Sequence, residues 1–157
     1  MIRAATPADV PVILRFVREL AEYERAPDAV EATEATLHAA LFGRAPAAEA
    51  VIAEHAGAPA GFALFFHNFS TWTGKRGLYL EDLYVTPAAR GTGLGKALLR
   101  HLAALAVARD CGRFEWAVLD WNAPAIAVYD SVGAESMDEW TVRRLSGAAL
   151  ARLAEDG

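Results

Sequence analysis

Residues 85–99 read Val-Thr-Pro-Ala-Ala-Arg-Gly-Thr-Gly-Leu-Gly-Lys-Ala-Leu-Leu, with three glycines in five positions directly before an apolar helical pattern. Glycine costs conformational entropy, so such a concentration marks a backbone that turns tightly or lies close against something. Two phosphate-binding patterns do not fit. A P-loop needs a glycine five residues before its Gly-Lys pair and a hydroxyl residue after it, but Arg90 and Ala97 stand at those positions. The dinucleotide fingerprint needs a third glycine where Lys96 stands. What remains is Arg90-x-x-Gly93-x-Gly95. Amides at a helix start, aided by the helix dipole, suit a pyrophosphate. A glycine-rich turn without a ligand is the alternative on this stretch alone.

Working outward, residues 78–85 read as a strand entering this loop and residues 93–109 as the amphipathic helix leaving it. Residues 113–119 predict a further strand, 123–132 a helix and 140–145 a last strand, with Ser146 placed to cap a C-terminal helix. Upstream, residues 2–4 read as a short strand. Thr6-Pro7-Ala8-Asp9 reads as a helix start, with Pro7 in the first turn. The helix behind it sets Val10, Ile13, Leu14, Val17, Leu20 and Ala21 on one face and ends near Tyr23. A weaker helix covers 34–41. Strands at 50–55 and 61–67 are joined through Gly57, Ala58 and Pro59. This order predicts an α/β (α+β) domain in three layers around a mixed sheet.

The 157 residues, 54% hydrophobic and 10% aromatic, predict a single folded domain over 1–157. A net charge of −5 argues against a nucleic-acid partner. The longest uncharged apolar run, residues 56–66, is too short to span a bilayer. With no leader-like start and Cys111 alone, the reading is a soluble cytoplasmic protein without membrane contact. His38, His55, His67 and His101, spaced 17, 12 and 34 residues apart, suggest no metal site. Glu22, Glu24, Asp28, Glu31 and Glu34 crowd around Arg25 alone, either as a solvated helix end or as a field for a cationic ligand.

Two blocks make the chain resemble a known family. Arg90-Gly-Thr-Gly-Leu-Gly-Lys96, after Leu80-Glu-Asp-Leu-Tyr-Val85, looks like the acetyl-CoA loop of the GCN5-related N-acetyltransferases (GNAT). Asp120-Trp-Asn-Ala-Pro-Ala-Ile-Ala-Val-Tyr129, with Gly133-Ala134, resembles the family's second element. Residues 19–24, Trp72-Thr-Gly-Lys75, residues 79–82 and Trp140 narrow the likeness to the diamine (spermidine/spermine-like) subgroup. The likeness runs over almost the whole chain.

The resemblance implies a mostly antiparallel mixed sheet with helices on both faces, in which the parallel strands 78–85 and 113–119 splay to admit the cofactor. Acetyl-CoA would lie along Leu83, Tyr84 and Val85, with its pyrophosphate on Arg90, Gly91, Thr92, Gly93, Leu94, Gly95 and Lys96. Asn122, Pro124 and Ala125 would flank the pantetheine arm. Tyr129 would be the acid that protonates CoA, an amide near Leu83 would polarise the carbonyl, and Glu81 would be the base, acting through a water. Tyr23, Glu24, Asp82, Trp72 and Trp140 would meet the acceptor, a small primary amine, and the enzyme would be a homodimer. On a regular strand Glu81 and Asp82 point to opposite faces, so both can serve one pocket only if a β-bulge intervenes. Two departures stand out: Ser70 where relatives often carry an acid, and Asp130-Ser131 where basic residues follow the tyrosine. They weaken the case for a true spermidine acceptor and leave a diamine, a thialysine-like amino acid or another small amine. A non-catalytic acyl-CoA sensor, or transfer to an aminoglycoside or protein N-terminus, is the alternative.

Overall fold

Strands β1 (Ile2–Ala4), β2 (Glu49–His55), β3 (Ala58–Ser70), β4 (Lys75–Val85) and β5 (Phe114–Trp116) lie side by side in chain order. The first four pair antiparallel, and β4 pairs with β5 in parallel. The computed structural model describes residues 1–156. They divide into two compact units, Met1–Asn122 and the residues from Ala123 onward.

Connection chemistry explains the hairpins. Ala56 and Gly57 take φ of 51° and 79°, the two left-handed positions of a tight two-residue turn. The connection is therefore shorter than the Gly57–Pro59 link expected: Pro59 lies inside β3, opposite Glu54, where the register shifts. The β3–β4 hairpin is longer than expected, and Ser70 Oγ accepts the amides of Trp72 (3.2 Å) and Thr73 (3.3 Å) at its tip.

Helices α1 (Val10–Tyr23) and α2 (Glu34–Phe42) cover one face, where Ile13, Phe16, Leu41, Ile52, Phe62 and Tyr84 form a core. Phe16 falls outside the predicted stripe of α1, yet it is fully buried and stacks on Phe62 at 5.8 Å. The sheet floor is wide enough to bury a broader arc of the helix than the periodicity marks. Alternate strand residues, Val51, Ala53, Ala63, Phe65, Leu78 and Leu80, are buried on the other face, where β3 and β4 pack against α3 (Leu94–Ala108) with its buried Leu98, Leu99 and Leu102.

In the second unit α4 spans Ala123–Ser131 and α5 spans Gly147–Glu155. The strand expected at 140–145 is not formed. Among the described residues it has no ladder, and Trp140 and Val142 are 66% and 83% exposed. A strand needs a neighbour for its backbone groups, and no alternation of side chains substitutes for one.

Candidate active site

The site begins with one extra residue. Leu64 of β3 pairs with Asp82, while the next residue, Phe65, pairs with Leu80. Glu81 is thus bulged out of β4, as the sequence reading required for both carboxylates to serve one pocket. The bulge resets the alternation: Asp82 joins Tyr79 and Tyr84 on the α1 face, Leu83 and Val85 turn toward α3, and Glu81 stands exposed.

Three carboxyls from distant parts of the sequence feel one another here. Asp82 is half-buried, and its carboxyl is pushed up to about 6, first by burial, then by the charges of Glu81 and Glu24. Glu24, which caps the C-terminal end of α1, is also raised, by burial and then by Glu81. Among the described residues none of the three takes part in an ion pair. The geometry brings together Glu24, Glu81 and Asp82, all marked from the sequence. It shields Asp82 and leaves Glu81 exposed.

Beside the trio runs a ladder of rings and guanidinium groups. Tyr23 Oη donates to Asn122 Oδ1 at 3.1 Å, and Asn122 is buried. The Tyr23 ring lies 6.1 Å from Trp121, and the Arg25 guanidinium sits 4.0 Å above the Trp121 ring. On the other side Arg90 sits 5.1 Å from the Tyr23 centroid and 5.9 Å from that of Tyr84, with Nε donating to Val85 O at 3.2 Å. Tyr84 Oη donates to Glu19 at 2.8 Å, and burial and then that carboxylate push the phenol up to about 12. Glu19, Glu22, Tyr23, Tyr84, Pro87 and Arg90 line a surface cleft of about 490 Å³.

Arg25 has φ of 64° and ends α1 in a Schellman motif, with Arg25 N donating to Glu22 O and Ala26 N to Ala21 O. Glycine ordinarily occupies that position, and a side chain there costs about 1 kcal/mol. Sequence reading passed over Arg25 and Trp121. The signal was there: an arginine just past a helix end, and a tryptophan beside Asn122.

The glycine loop leaves room for an anion against its backbone. Gly91 and Gly93 take φ of 80° and 85°, and nothing lies within 4 Å of where a Cβ would stand on either. Gly93 is the N-cap of α3 and has no side chain to cap it. The first helical bond runs from Ala97 N to Gly93 O at 2.9 Å, so the amides of Leu94, Gly95 and Lys96 precede it. Thr92 Oγ folds the loop back by donating to Ala89 O at 2.6 Å.

Pairing of β4 with β5 stops at Leu80 and Trp116, so residues 81–85 continue with β3 alone. That parting leaves Leu83 to Val85 without a paired strand on the β5 side, and Val85 O accepts Arg90 Nε. The strand expected over 113–119 is accordingly short. Trp72, on the β3–β4 turn, is 81% exposed, with Arg113 6.0 Å from its ring. Pro124, Ala125 and Tyr129 lie on α4, where Tyr129 is half-buried and its carbonyl accepts the amides of Val132 and Ala134.

The sequence pattern of the Acetyltransferase (GNAT) family matches residues 14–134. A thialysine N-epsilon-acetyltransferase of Sus scrofa is 40% identical, the match covering 98% of this chain and 96% of that protein. An L-ornithine N5-acetyltransferase of Arabidopsis thaliana is 32% identical over 95% of this chain and 85% of that one. Among solved structures, an integron cassette protein of V. cholerae superposes with a TM-score of 0.81 at 28% identity, covering 99% of this chain and 97% of the other.

Proposed function

The chain belongs to the acetyltransferase (GNAT) family and is an amine N-acetyltransferase, and from that premise we propose that it moves the acetyl group of acetyl-CoA to the terminal amine of a small acceptor, a thialysine- or ornithine-like amino acid foremost. Transfer is by direct attack within a ternary complex. The observation that carries this reading is the bulge at Glu81, which gathers Asp82, Glu81 and Glu24 into one unpaired acidic group.

An alkylamine with a pKa of about 10.4 is free base in only about one molecule in 2,500 at pH 7, a deficit of roughly 4.6 kcal/mol. The acidic trio attracts the ammonium form and Asp82 takes its proton. A carboxyl near pH 6 is ionised at neutrality yet basic enough to share that proton well, better than an ordinary carboxylate. The amides from Gly91 to Lys96 hold the diphosphate, and the open edge of β4 from Leu83 to Val85 aligns the thioester arm. Acetyl-CoA supplies, when bound, an activated acyl carbon and a thiolate leaving group. Tyr129 Oη gives up its proton to that sulfur, a role suited to a phenol that stays protonated at pH 7. Trp72 and Trp140 contribute apolar walls for the acceptor's stem.

A thiol-release assay with acetyl-CoA against thialysine, ornithine, polyamines and aminoglycosides tests the acceptor class. In the same assay Tyr129→Phe loses at least ten-fold in turnover while calorimetry still registers acetyl-CoA binding. Unchanged turnover removes the acid role from Tyr129.

A further inference from the structure

We propose that Arg25 is the anchor for the acceptor's α-carboxylate, and so the residue that makes this enzyme prefer an amino acid over the corresponding diamine. The inference rests on the proposed acceptor class and adds the group that recognises its second charge.

Any amine acceptor needs an anionic counterpart at the reacting end, and Glu24, Glu81 and Asp82 supply it. A lysine- or ornithine-like molecule also carries a carboxylate a short methylene arm away, which that acidic group repels. It needs a cation close to the trio but not neutralised by it. Arg25 meets both conditions. It follows Glu24 directly in the chain, so their Cα atoms are about 3.8 Å apart. Although Glu22, Glu24 and Asp28 surround it in sequence, Arg25 forms no ion pair with any described residue. Its guanidinium carbon sits 4.0 Å over the centre of the Trp121 ring instead. Stacking occupies the face of the group and leaves the N–H donors around its edge, the fork that takes a carboxylate in two parallel hydrogen bonds.

The platform under it is held from several sides. Trp121 packs against Tyr23, Tyr23 is tied to buried Asn122, and Asn122 N closes a turn onto Leu119 O at 2.9 Å. The backbone tells the same story. A Schellman motif ending at φ of 64° favours glycine, and this chain places an exposed arginine there, directly after Glu24. Arg90, the other guanidinium in the ladder, is exposed as well, but it is engaged by its bond to Val85 O and lies over Tyr23 and Tyr84, on the far side of Tyr23 from Trp121.

The test uses matched acceptors differing only by the carboxylate: L-ornithine with putrescine, and thialysine with its decarboxylated diamine. KM and kcat are measured at saturating acetyl-CoA for the native chain, Arg25→Gln, Arg25→Lys and Arg25→Gly. The native enzyme shows a KM lower for each amino acid than for its diamine by roughly ten- to a hundred-fold, the worth of a charge-assisted fork. In Arg25→Gln and Arg25→Gly that ratio collapses toward one through KM rather than kcat, because the carboxylate is held equally before and during transfer. Arg25→Lys retains part of it. Arg25→Gly guards against misfolding, since glycine suits the left-handed backbone. A ratio near one in the native enzyme, or one unmoved by Arg25→Gln, overturns the anchor while leaving acetyl transfer intact. A native enzyme that acetylates none of the four acceptors removes the acceptor class, and the anchor with it.

Discussion

Asp9 and Asp82 are both aspartates drawn out of solvent in the same unit, and their surroundings drive them in opposite directions. Asp9 receives a two-pronged bond from Arg3 (2.8 and 2.9 Å) together with the amide of Thr6 (2.7 Å). The Arg3 bonds, offset in part by burial, hold its carboxyl down at about 2. Asp82 has burial and two like charges and no cation, and rises to about 6. The pair separates a carboxylate that holds the fold together from one the fold tolerates at a cost.

Linkage gives the signs. Asp9, with a folded value below the unfolded one of about 3.9, contributes roughly 2.5 kcal/mol above that pH and loses it as pH falls through about 2. Asp82, with a folded value above the unfolded one, costs roughly 3 kcal/mol at pH values well above 6, and the cost disappears as pH falls from about 6 toward 3.9. A group kept ionised against such a gradient is a candidate for chemistry.

The sharpest way to break the comparison is Asp82→Asn. It should lower kcat/KM for the amine by roughly a hundred-fold or more, remove an acid limb near pH 6 from the pH–rate profile, and leave the protein at least as stable in urea. Full activity would pass the base role to Glu81. Asp9→Asn should do the reverse. Breaking this part-buried pair costs roughly 1–3 kcal/mol in urea unfolding, with kcat/KM at pH 7 and 25 °C within about two-fold of native. A stability loss under about 1 kcal/mol would show that Glu54, which also bonds Arg3 at 2.8 Å, carries the arginine alone. The smallest effect belongs to Glu24→Gln. Removing the last of the three causes acting on Asp82 should lower the acid limb by less than about one pH unit. A limb that stays in place would mean that burial and Glu81 suffice.

Much of this was legible from residue order. The glycine loop, the helix after it, the face of α1 and the three longer strands follow from spacing and turn chemistry that act within a few residues. The places where the reading changed share one property. The bulge at Glu81 exists only because β3 presents Leu64 and Phe65 to two residues separated by a third. The segment at 140–145 had the composition of a strand, but among the described residues no neighbour to ladder with. Phe16 stands outside the face that periodicity marks, and the sheet beneath it buries it all the same.

By itself, then, the sequence determined most of the segments that form helices and strands, the glycine-rich entry into α3, and which acids and aromatics were available for chemistry. Only the tertiary structure decided that Asp82 rather than Glu81 is the shielded carboxyl, and that Arg25 stacks on Trp121 instead of pairing with its acidic neighbours. Register, desolvation and charge coupling arise between groups some sixty to a hundred positions apart in the chain, Glu24 with Asp82 and Arg25 with Trp121. No local pattern carries that information, because the energies involved do not exist until the elements are packed together.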